Sequence, residues 1–142
     1  MRIRLPGVIS DDEACSLAKG VGYLDKSDPR LTGIVRLVLG CAPVDFGGNS
    51  YARVEKRPEG CPWHHDTGTK GHMQWCKYSA GILLTPPTLF SGGGFYFVDR
   101  PDEPIFHYRD LLVWGGGEEN THRVARNSGD RVALLMFFEG SK

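Results

Sequence analysis

The sequence has no long apolar run and no excess of charge of either sign. A membrane-spanning helix needs about 18 or more consecutive apolar residues, and no stretch approaches that length. Lys plus Arg number 17 and Asp plus Glu number 17, so the formal net charge is zero. Proteins that bind nucleic acids or membrane surfaces usually carry a basic excess. The composition therefore predicts neither a nucleic-acid-binding protein nor a membrane protein.

Cysteine is scarce and is never spaced as C-x-x-C. The four cysteines, Cys15, Cys41, Cys61 and Cys76, lie far apart. This pattern is typical of reduced thiols buried as small hydrophobic side chains. The first ten residues also lack the apolar segment of a signal peptide. We therefore expect a cytoplasmic protein, present as a monomer or weak dimer.

Glycine, in contrast, is abundant, with 19 of 142 residues, and the chain also has 9 prolines. Average proteins contain roughly 7% glycine, so the composition favours many turns and short strands. The length is typical of one domain, spanning residues 1–142. Within it we expect a helical support over 1–45 and a β core over 49–138.

Two helices are predicted in the first 45 residues. Ser10 is a good N-cap and Glu13 lies three residues later, which is the capping-box spacing. A second helix is predicted to begin at Asp28-Pro29, because proline suits the first helical turn. The β-branched residues that follow also leave a strand over 34–39 as an alternative.

From residue 49 the sequence consists of short β-prone segments separated by Gly, Pro, Asn or Asp. Regular spacing of such segments predicts a mainly β fold, either an all-β barrel or a double-sheet jelly roll. The two helices would then pack on one outer face. The segments are SYARVEK, CPWHHD, CKYSAGILLTP, GGFYFVD, DLLVWG, NTHRVAR and RVALLMFF.

Two histidines and an aspartate are adjacent in the stretch CPWHHDTGTKG. In a strand, residues i and i+2 point to the same side, so His64 and Asp66 can face one metal ion while His65 faces away. H-x-D alone is a weak signal, since a polar turn with a surface histidine has the same residues. A metal site would need another ligand elsewhere in the chain.

His122 is a candidate for that ligand. The sequence from His122 onwards is predicted to form a hairpin with its turn at 127–130, which pairs His122 with Leu135. Arg131 would then share a face with His122, about four strand residues or roughly 13 Å away. A small dicarboxylate could span that gap, with one end on the metal and the other on the guanidinium fork.

Together these residues resemble the iron(II)/2-oxoglutarate-dependent oxygenases, in particular their prolyl-4-hydroxylase-like branch. The similarity lies in His64-x-Asp66, a distant His122, and Arg131 nine residues later. HRVARNSGDR is similar to that branch's H-x-V-x(4)-G-x-R, and GGGFYF to its Gly-Gly turn into a strand. The resemblance implies a double-stranded β-helix, a jelly-roll variant related to the cupins.

The resemblance also implies roles for individual residues. His64, Asp66 and His122 would be the catalytic iron ligands, a facial triad that leaves open coordination positions. Arg131 would bind the distal carboxylate of 2-oxoglutarate.

Members of the family often place a tyrosine on the strand after H-x-D to help bind 2-oxoglutarate. In this sequence the segment YSAGILLTP offers Tyr78, Ser79 or Leu83 at that place. Tyr78 and Leu83 are the candidates predicted to bind the cosubstrate. The sequence does not determine which of these side chains faces the site.

The implied activity is hydroxylation of a C–H bond with O2, coupled to conversion of 2-oxoglutarate to succinate and CO2, with ascorbate as a possible reductant. The substrate would be a prolyl residue, another peptide or amino-acid residue, or a small molecule. Two alternatives use the same ligands: a metal-dependent hydrolase, and a non-catalytic metal-binding cupin-like barrel. Candidate substrate-pocket residues are Tyr51, Arg53, Trp63, Trp75, Phe95 and Trp114.

Overall fold

The computed structural model describes residues 1–68 and 72–141, and they form a mainly β structure with two helices. The helices are α1 (Asp11–Ala18) and α2 (Pro29–Cys41). The first six strands are β1 (Arg2–Leu5), β2 (Gly22–Leu24), β3 (Val44–Asp45), β4 (Tyr51–Glu55), β5 (Cys61–His64) and β6 (Cys76–Leu83). The others are β7 (Phe90–Gly92), β8 (Phe95–Phe97), β9 (Leu111–Gly115), β10 (His122–Val124), β11 (Asn127–Gly129) and β12 (Ala133–Gly140).

Both predicted helices are confirmed. The Ser10 hydroxyl accepts from the Glu13 backbone N–H at 3.1 Å, and the Glu13 carboxylate accepts from the Ser10 backbone N–H at 3.0 Å, which completes the capping box. Asp28 caps α2, whose first residue is Pro29. The alternative strand over 34–39 is wrong, because the buried residues of α2 recur at helical spacing.

The strands form two main antiparallel sheets. The large sheet has the order β1-β9-β6-β12-β4-β2, and β3 pairs with the end of β12. The small sheet has the order β5-β10-β8, and β7 pairs with β11 as a separate ribbon. This double-sheet arrangement confirms the predicted double-stranded β-helix. No helix in the described ranges is both long enough and apolar enough to span a bilayer.

Buried side chains lie in two layers on opposite faces of the large sheet. One cluster joins the two helices to the outer face of the sheet and includes Leu17 and Ile34, with Ala80 and Ile82 of β6. The second lies on the inner face, toward the small sheet, and includes Leu83 of β6. Because side chains alternate along a strand, Ser79 shares the inner face with Leu83. The helices thus support the sheet from outside, as predicted, and leave its inner face for the site.

The predicted hairpin that pairs His122 with Leu135 is wrong. β10 pairs with β5 and β8 in the small sheet, while β12 pairs with β4 and β6 in the large sheet. The intervening residues Asn127–Gly129 form β11 rather than a turn. Strand β12 is mostly buried on both faces, which suits a central strand rather than one arm of a hairpin. The chain therefore crosses from one sheet to the other between Val124 and Ala133, and Arg131 lies in this crossing segment.

Candidate metal centre

The two sheets bring together the three predicted metal ligands. His64 is the last residue of β5, Asp66 follows it, and His122 is the first residue of β10. His122 lies directly opposite His64 in the β5–β10 register. One ligand atom from each of the three side chains lies within 4.8 Å of the others. Asp66 and His122 are buried, whereas 37% of the His64 side chain is exposed, so the cluster opens on the His64 side.

The carboxylate of Asp66 is held by two hydrogen bonds from the large sheet. Its Oδ2 accepts from Ser79 Oγ at 2.7 Å and from Trp114 Nε1 at 2.8 Å. These two residues are paired neighbours on β6 and β9. The other oxygen, Oδ1, lies 3.6 Å from His64 Nε2 and 3.5 Å from His122 Nε2. One oxygen is therefore used for positioning, and the other faces the histidines.

Backbone carbonyls orient both imidazoles. His64 Nδ1 lies 2.7 Å from the carbonyl oxygen of Pro62, and His122 Nδ1 lies 2.8 Å from that of Asn120. A carbonyl oxygen can only accept, so each Nδ1 must carry the proton. In the neutral rings, each Nε2 is then an unprotonated acceptor that lies within 3.6 Å of Asp66 Oδ1.

The cluster fits a divalent cation. Three acceptor atoms converge on one point, and in the neutral rings no proton lies between them, an arrangement that a metal ion satisfies. Burial lowers the pKa of His122, although the charge of Asp66 acts in the opposite direction, so burial favours the neutral ring that metal binding requires. Two imidazoles and one carboxylate form the donor set of non-haem Fe(II) sites with open positions.

His65 faces away from this cluster, as strand alternation predicts. It lines a separate, open cavity together with Thr67 and Trp75. The adjacent histidines thus lie in different environments although they are neighbours in sequence.

Arg131 lies in the cavity that contains the three ligands. The residue is 4% exposed, and its Nε donates to the carbonyl oxygen of Gly93 at 2.8 Å. Gly93 has φ +75°, and a side chain there would collide with Arg131, which explains the need for glycine in GGGFYF. Across residues 1–68 and 72–141, no carboxylate lies within 4.0 Å of the guanidinium. Burial lowers the pKa of Arg131, opposed by the charge of Glu55.

A buried guanidinium that is not paired with an anion is costly, so the cavity is suited to an anionic ligand. The wall near Arg131 is apolar, with the Phe106 ring centroid 5.9 Å from the guanidinium carbon. Arg131 and His122 thus line one cavity, although the strand pairing that was used to predict their proximity is wrong. The described residues that line it are Arg53, Glu55, Arg57, Cys61, His64, Asp66, Phe95, Phe106, Trp114, His122, Val124, Arg131, Ala133, Leu135 and Phe137.

The structure does not bring Tyr78 to this cavity. Tyr78 pairs with Phe138 and lies on the helix side of the large sheet, because Ser79 occupies the inner face. Leu83 does point inward, but it packs in the second core cluster and is not among the described residues that line the ligand cavity. Neither residue supplies a hydroxyl to the cavity. At this level of the strand, Ser79 is instead the hydroxyl that contacts Asp66.

Three of the six candidate pocket residues line the cavity: Arg53, Phe95 and Trp114. Tyr51 and Trp75 form an aromatic pair at 6.0 Å, and Tyr51 also packs on Phe137, which itself lines the cavity. Trp63 packs beside Arg123 on the small sheet. Glu55 and Arg57 also line the cavity but were not predicted to do so. Their spacing of two residues from Arg53 and from each other could have indicated that all three face the same side.

No protein-family model matches the chain, and no curated protein matches it in sequence. Solved structures do match it over nearly its whole length. A prolyl-4-hydroxylase from Pseudomonas putida superposes with a TM-score of 0.72 at 14% identity, covering 99% of this chain and 93% of that one. The chain has the fold of the prolyl hydroxylases.

Two further structures support the same conclusion about the fold. The viral collagen prolyl hydroxylase of Paramecium bursaria chlorella virus-1, in its complex with 2-oxoglutarate, gives a TM-score of 0.69 at 12% identity, covering 99% of this chain and 96% of that one. A prolyl hydroxylase from Trichoplax adhaerens, bound to a peptide fragment of hypoxia inducible factor, gives 0.69 at 12% identity, covering 98% and 83%. At 12% sequence identity, these comparisons show that the fold is shared.

Proposed function

We propose that this protein is an Fe(II)- and 2-oxoglutarate-dependent dioxygenase that hydroxylates a C–H bond and releases succinate and CO2. The observation that carries the proposal is the content of one cavity. Three metal-binding atoms from His64, Asp66 and His122 converge there, and the buried Arg131 has no carboxylate within 4.0 Å in the described residues. A hydrolase acting on an uncharged substrate would use the same three ligands but would leave the buried arginine without a role.

The protein's contribution is to hold and orient the reacting groups. His64 Nε2, Asp66 Oδ1 and His122 Nε2 would bind Fe(II), which supplies open positions where 2-oxoglutarate and O2 react. Ser79 and Trp114 fix the carboxylate of Asp66 through its other oxygen. These contacts keep the ligand geometry before the cosubstrate binds.

Arg131 would bind the distal carboxylate of 2-oxoglutarate. A guanidinium offers two parallel N–H donors that match a carboxylate. The Nε–H is already used by Gly93, which leaves the terminal nitrogens for the ligand. Phe95, Phe106 and Leu135 make this part of the wall apolar and limit the access of water to the reaction.

The substrate proposed is a peptide or amino-acid residue, with a prolyl residue as one candidate. The Trichoplax adhaerens neighbour, a prolyl hydroxylase in complex with a peptide fragment, supports a peptide. The exposed side of His64 would be the face on which the substrate approaches the metal.

The test is to incubate the purified protein with Fe(II), 2-oxoglutarate and O2, and to measure succinate by mass spectrometry across a library of peptides and amino acids. We expect iron-dependent succinate release that increases with one class of substrate, together with a 16 Da gain in that substrate. His122→Ala should abolish both. Metal-dependent hydrolysis without loss of 2-oxoglutarate would instead establish the hydrolase, and the absence of both reactions would favour a binding protein.

A further inference from the structure

Two arginines and one glutamate lie on the same face of β4 and the segment that follows it. Glu55 Oε1 lies 3.1 Å from Arg53 Nη2 and 3.1 Å from Arg57 Nη2. All three residues line the cavity that contains the metal ligands and Arg131. Arg57 Nε also lies 3.7 Å from Oε1 of the exposed Glu59, which does not line the cavity, so Glu55 is the only carboxylate partner of Arg53 in the described residues, and the three lining residues carry one net positive charge.

Arg53 is only partly satisfied in this arrangement. Its Nε is buried, and among the described residues it is the one buried side-chain nitrogen or oxygen without a hydrogen-bond partner. In the described ranges, the Arg53 side chain donates one hydrogen bond, from Nη2 to Glu55 Oε1. An unpaired buried donor costs free energy, so an anionic ligand that reorients the guanidinium would relieve that cost.

Among the residues that line the cavity, the charges of the proposed complex leave one positive charge in excess at this group. Besides the two histidines and the Cys61 thiol, the ionisable residues that line the cavity are three arginines and two carboxylates. A divalent cation and the 2-oxoglutarate dianion would cancel each other. Arg131 would be paired with the cosubstrate and Asp66 with the metal, so one positive charge remains around Arg53, Glu55 and Arg57. A second anion, from the substrate, would neutralise it.

The group lines the same cavity as the metal ligands. Strand β4 lies beyond β12 in the large sheet, and the chain returns from Arg57 directly into β5, where Arg57 Nη1 donates to Cys61 Sγ at 3.4 Å. Arg53 pairs with Leu135, two residues along β12 from Phe137, whose neighbour on β6 is Ser79. Two strand residues span about 7 Å and two strand spacings about 10 Å, so the backbone of Arg53 lies roughly 12 Å from that of Ser79, which contacts Asp66. The Arg53 guanidinium carbon lies 5.6 Å from the centroid of the Phe137 ring.

We infer that Arg53 is a specificity-determining residue that binds a carboxylate on the substrate, which replaces Glu55 as the partner of Arg53 while Glu55 stays paired with Arg57. The inference rests on the proposed function and narrows its substrate class. The substrate is an amino acid or peptide residue whose carboxylate lies a few bonds from the carbon that is oxidised. An arginine suits this role because its fork binds a carboxylate with two hydrogen bonds, which a neutral amide cannot replace.

The experiment compares matched acids and amides. N-acetyl-L-proline and N-acetyl-L-prolinamide, and the same pairs for leucine, lysine and aspartate, are titrated by calorimetry under nitrogen. Fe(II) and saturating 2-oxoglutarate are present, so that Arg131 is already occupied. In the wild type we expect at least one acid to bind tenfold or more tightly than its amide. Arg53→Gln should reduce this ratio to about twofold or less.

Two variants complete the comparison. Arg123→Gln is the matched control, because Arg123 packs between Trp63 and Tyr96 rather than in the cavity, and the ratio should be unchanged. Arg53→Lys keeps the charge but loses the fork, so it should retain part of the preference. If Arg53→Gln does not fold, Glu55→Gln is tested in its place. Removing the carboxylate that competes for Arg53 should tighten acid binding several-fold and leave amide binding unchanged.

The inference is overturned if no acid binds more tightly than its amide, or if the preference persists in Arg53→Gln and Arg53→Lys. Its failure can be told apart from that of the proposed function. A wild type that binds 2-oxoglutarate and releases succinate but does not distinguish acids from amides refutes only the carboxylate site. A wild type that does not bind 2-oxoglutarate, but whose acid preference depends on Arg53, refutes only the proposed activity.

Discussion

His122 and His64 lie directly opposite each other on the antiparallel strands β10 and β5, and their ring centroids are 4.4 Å apart. The pairing of two backbone segments therefore brings together two of the three metal ligands. Asp66, which follows β5, completes it from the same side as His64. Metal binding would thus link two strands of the small sheet in addition to supplying reactivity.

The first prediction concerns which of the two adjacent histidines binds the metal. His64→Ala should reduce Fe(II) affinity by at least 100-fold, because it removes one of three ligands. His65→Ala is the matched control and should change affinity less than about threefold, since His65 lines a different cavity. Anaerobic calorimetry measures both. Loss of the metal in His65→Ala with retention in His64→Ala would reverse the assignment.

The second prediction concerns the support of Asp66. Ser79→Ala removes the 2.7 Å hydrogen bond to Asp66 Oδ2 and leaves the bond from Trp114. Loss of such a partner typically weakens metal binding 10- to 100-fold, and we expect that range here. Ser91→Ala, on the exposed strand β7, is the control. If Ser79→Ala binds Fe(II) as tightly as the wild type, Ser79 does not position the ligand.

Much of the fold was predictable because its signals are local. The capping box at Ser10 and the proline at the start of α2 mark helix ends through contacts within a few residues. All seven β-prone segments became strands. The strands that were missed, β1, β2, β3, β7 and β11, have at most four residues each. Segments this short carry too few alternating positions to reveal a period, and the equally short β5, β8 and β10 were predicted because they lie within longer β-prone segments.

The sequence could not reveal which strands pair. The predicted hairpin between β10 and β12 agreed with the turn residues between them. However, β12 is buried on both faces and lies in the centre of the large sheet. Sheet pairing depends on contacts far apart in the chain, which local turn signals do not determine. The ligand triad could still be predicted, because strand alternation at His64-x-Asp66 does not depend on the pairing partner.

The inner face of β6 shows the same limit. Whether Tyr78 or Ser79 points toward the site depends on a shift of one residue in register. The sequence offered both hydroxyls, and only the pairing of Ser79 with Trp114 and Phe137 places it beside Asp66.

The third prediction concerns the thiol of Cys76. Burial raises the pKa of this thiol to about 11, so at pH 8 only about one molecule in a thousand carries the reactive thiolate. Cys15 is exposed and serves as the internal control. We expect iodoacetamide at pH 8 to modify Cys15 at least 100-fold faster than Cys76, as followed by peptide mass spectrometry. Since the folded-state pKa is raised, this thiol's contribution to stability is complete below pH 9 and declines as pH rises toward 11. Comparable labelling rates at the two positions would show that Cys76 is not enclosed in the core.

The last prediction concerns Arg131 and the cosubstrate. Arg131→Leu should weaken 2-oxoglutarate binding by one to several orders of magnitude, about 2–4 kcal/mol, because it removes one partner of a buried charge pair. Arg131→Lys should retain part of the affinity, since the charge is kept and the fork is lost. The measurement is a titration of 2-oxoglutarate into the anaerobic Fe(II) protein, followed by the charge-transfer absorbance of the complex.

Two controls separate cosubstrate binding from folding and from metal binding. Arg126→Leu replaces an exposed arginine of the same crossing segment and should leave 2-oxoglutarate affinity unchanged. Fe(II) affinity without 2-oxoglutarate should be the same in Arg131→Leu as in the wild type, because Arg131 contacts Gly93 rather than a metal ligand. Equal 2-oxoglutarate affinity in the wild type and Arg131→Leu would refute the role of Arg131. The buried guanidinium would then need another anion, and a metal-dependent hydrolase acting on an anionic substrate would become the better explanation of this cavity.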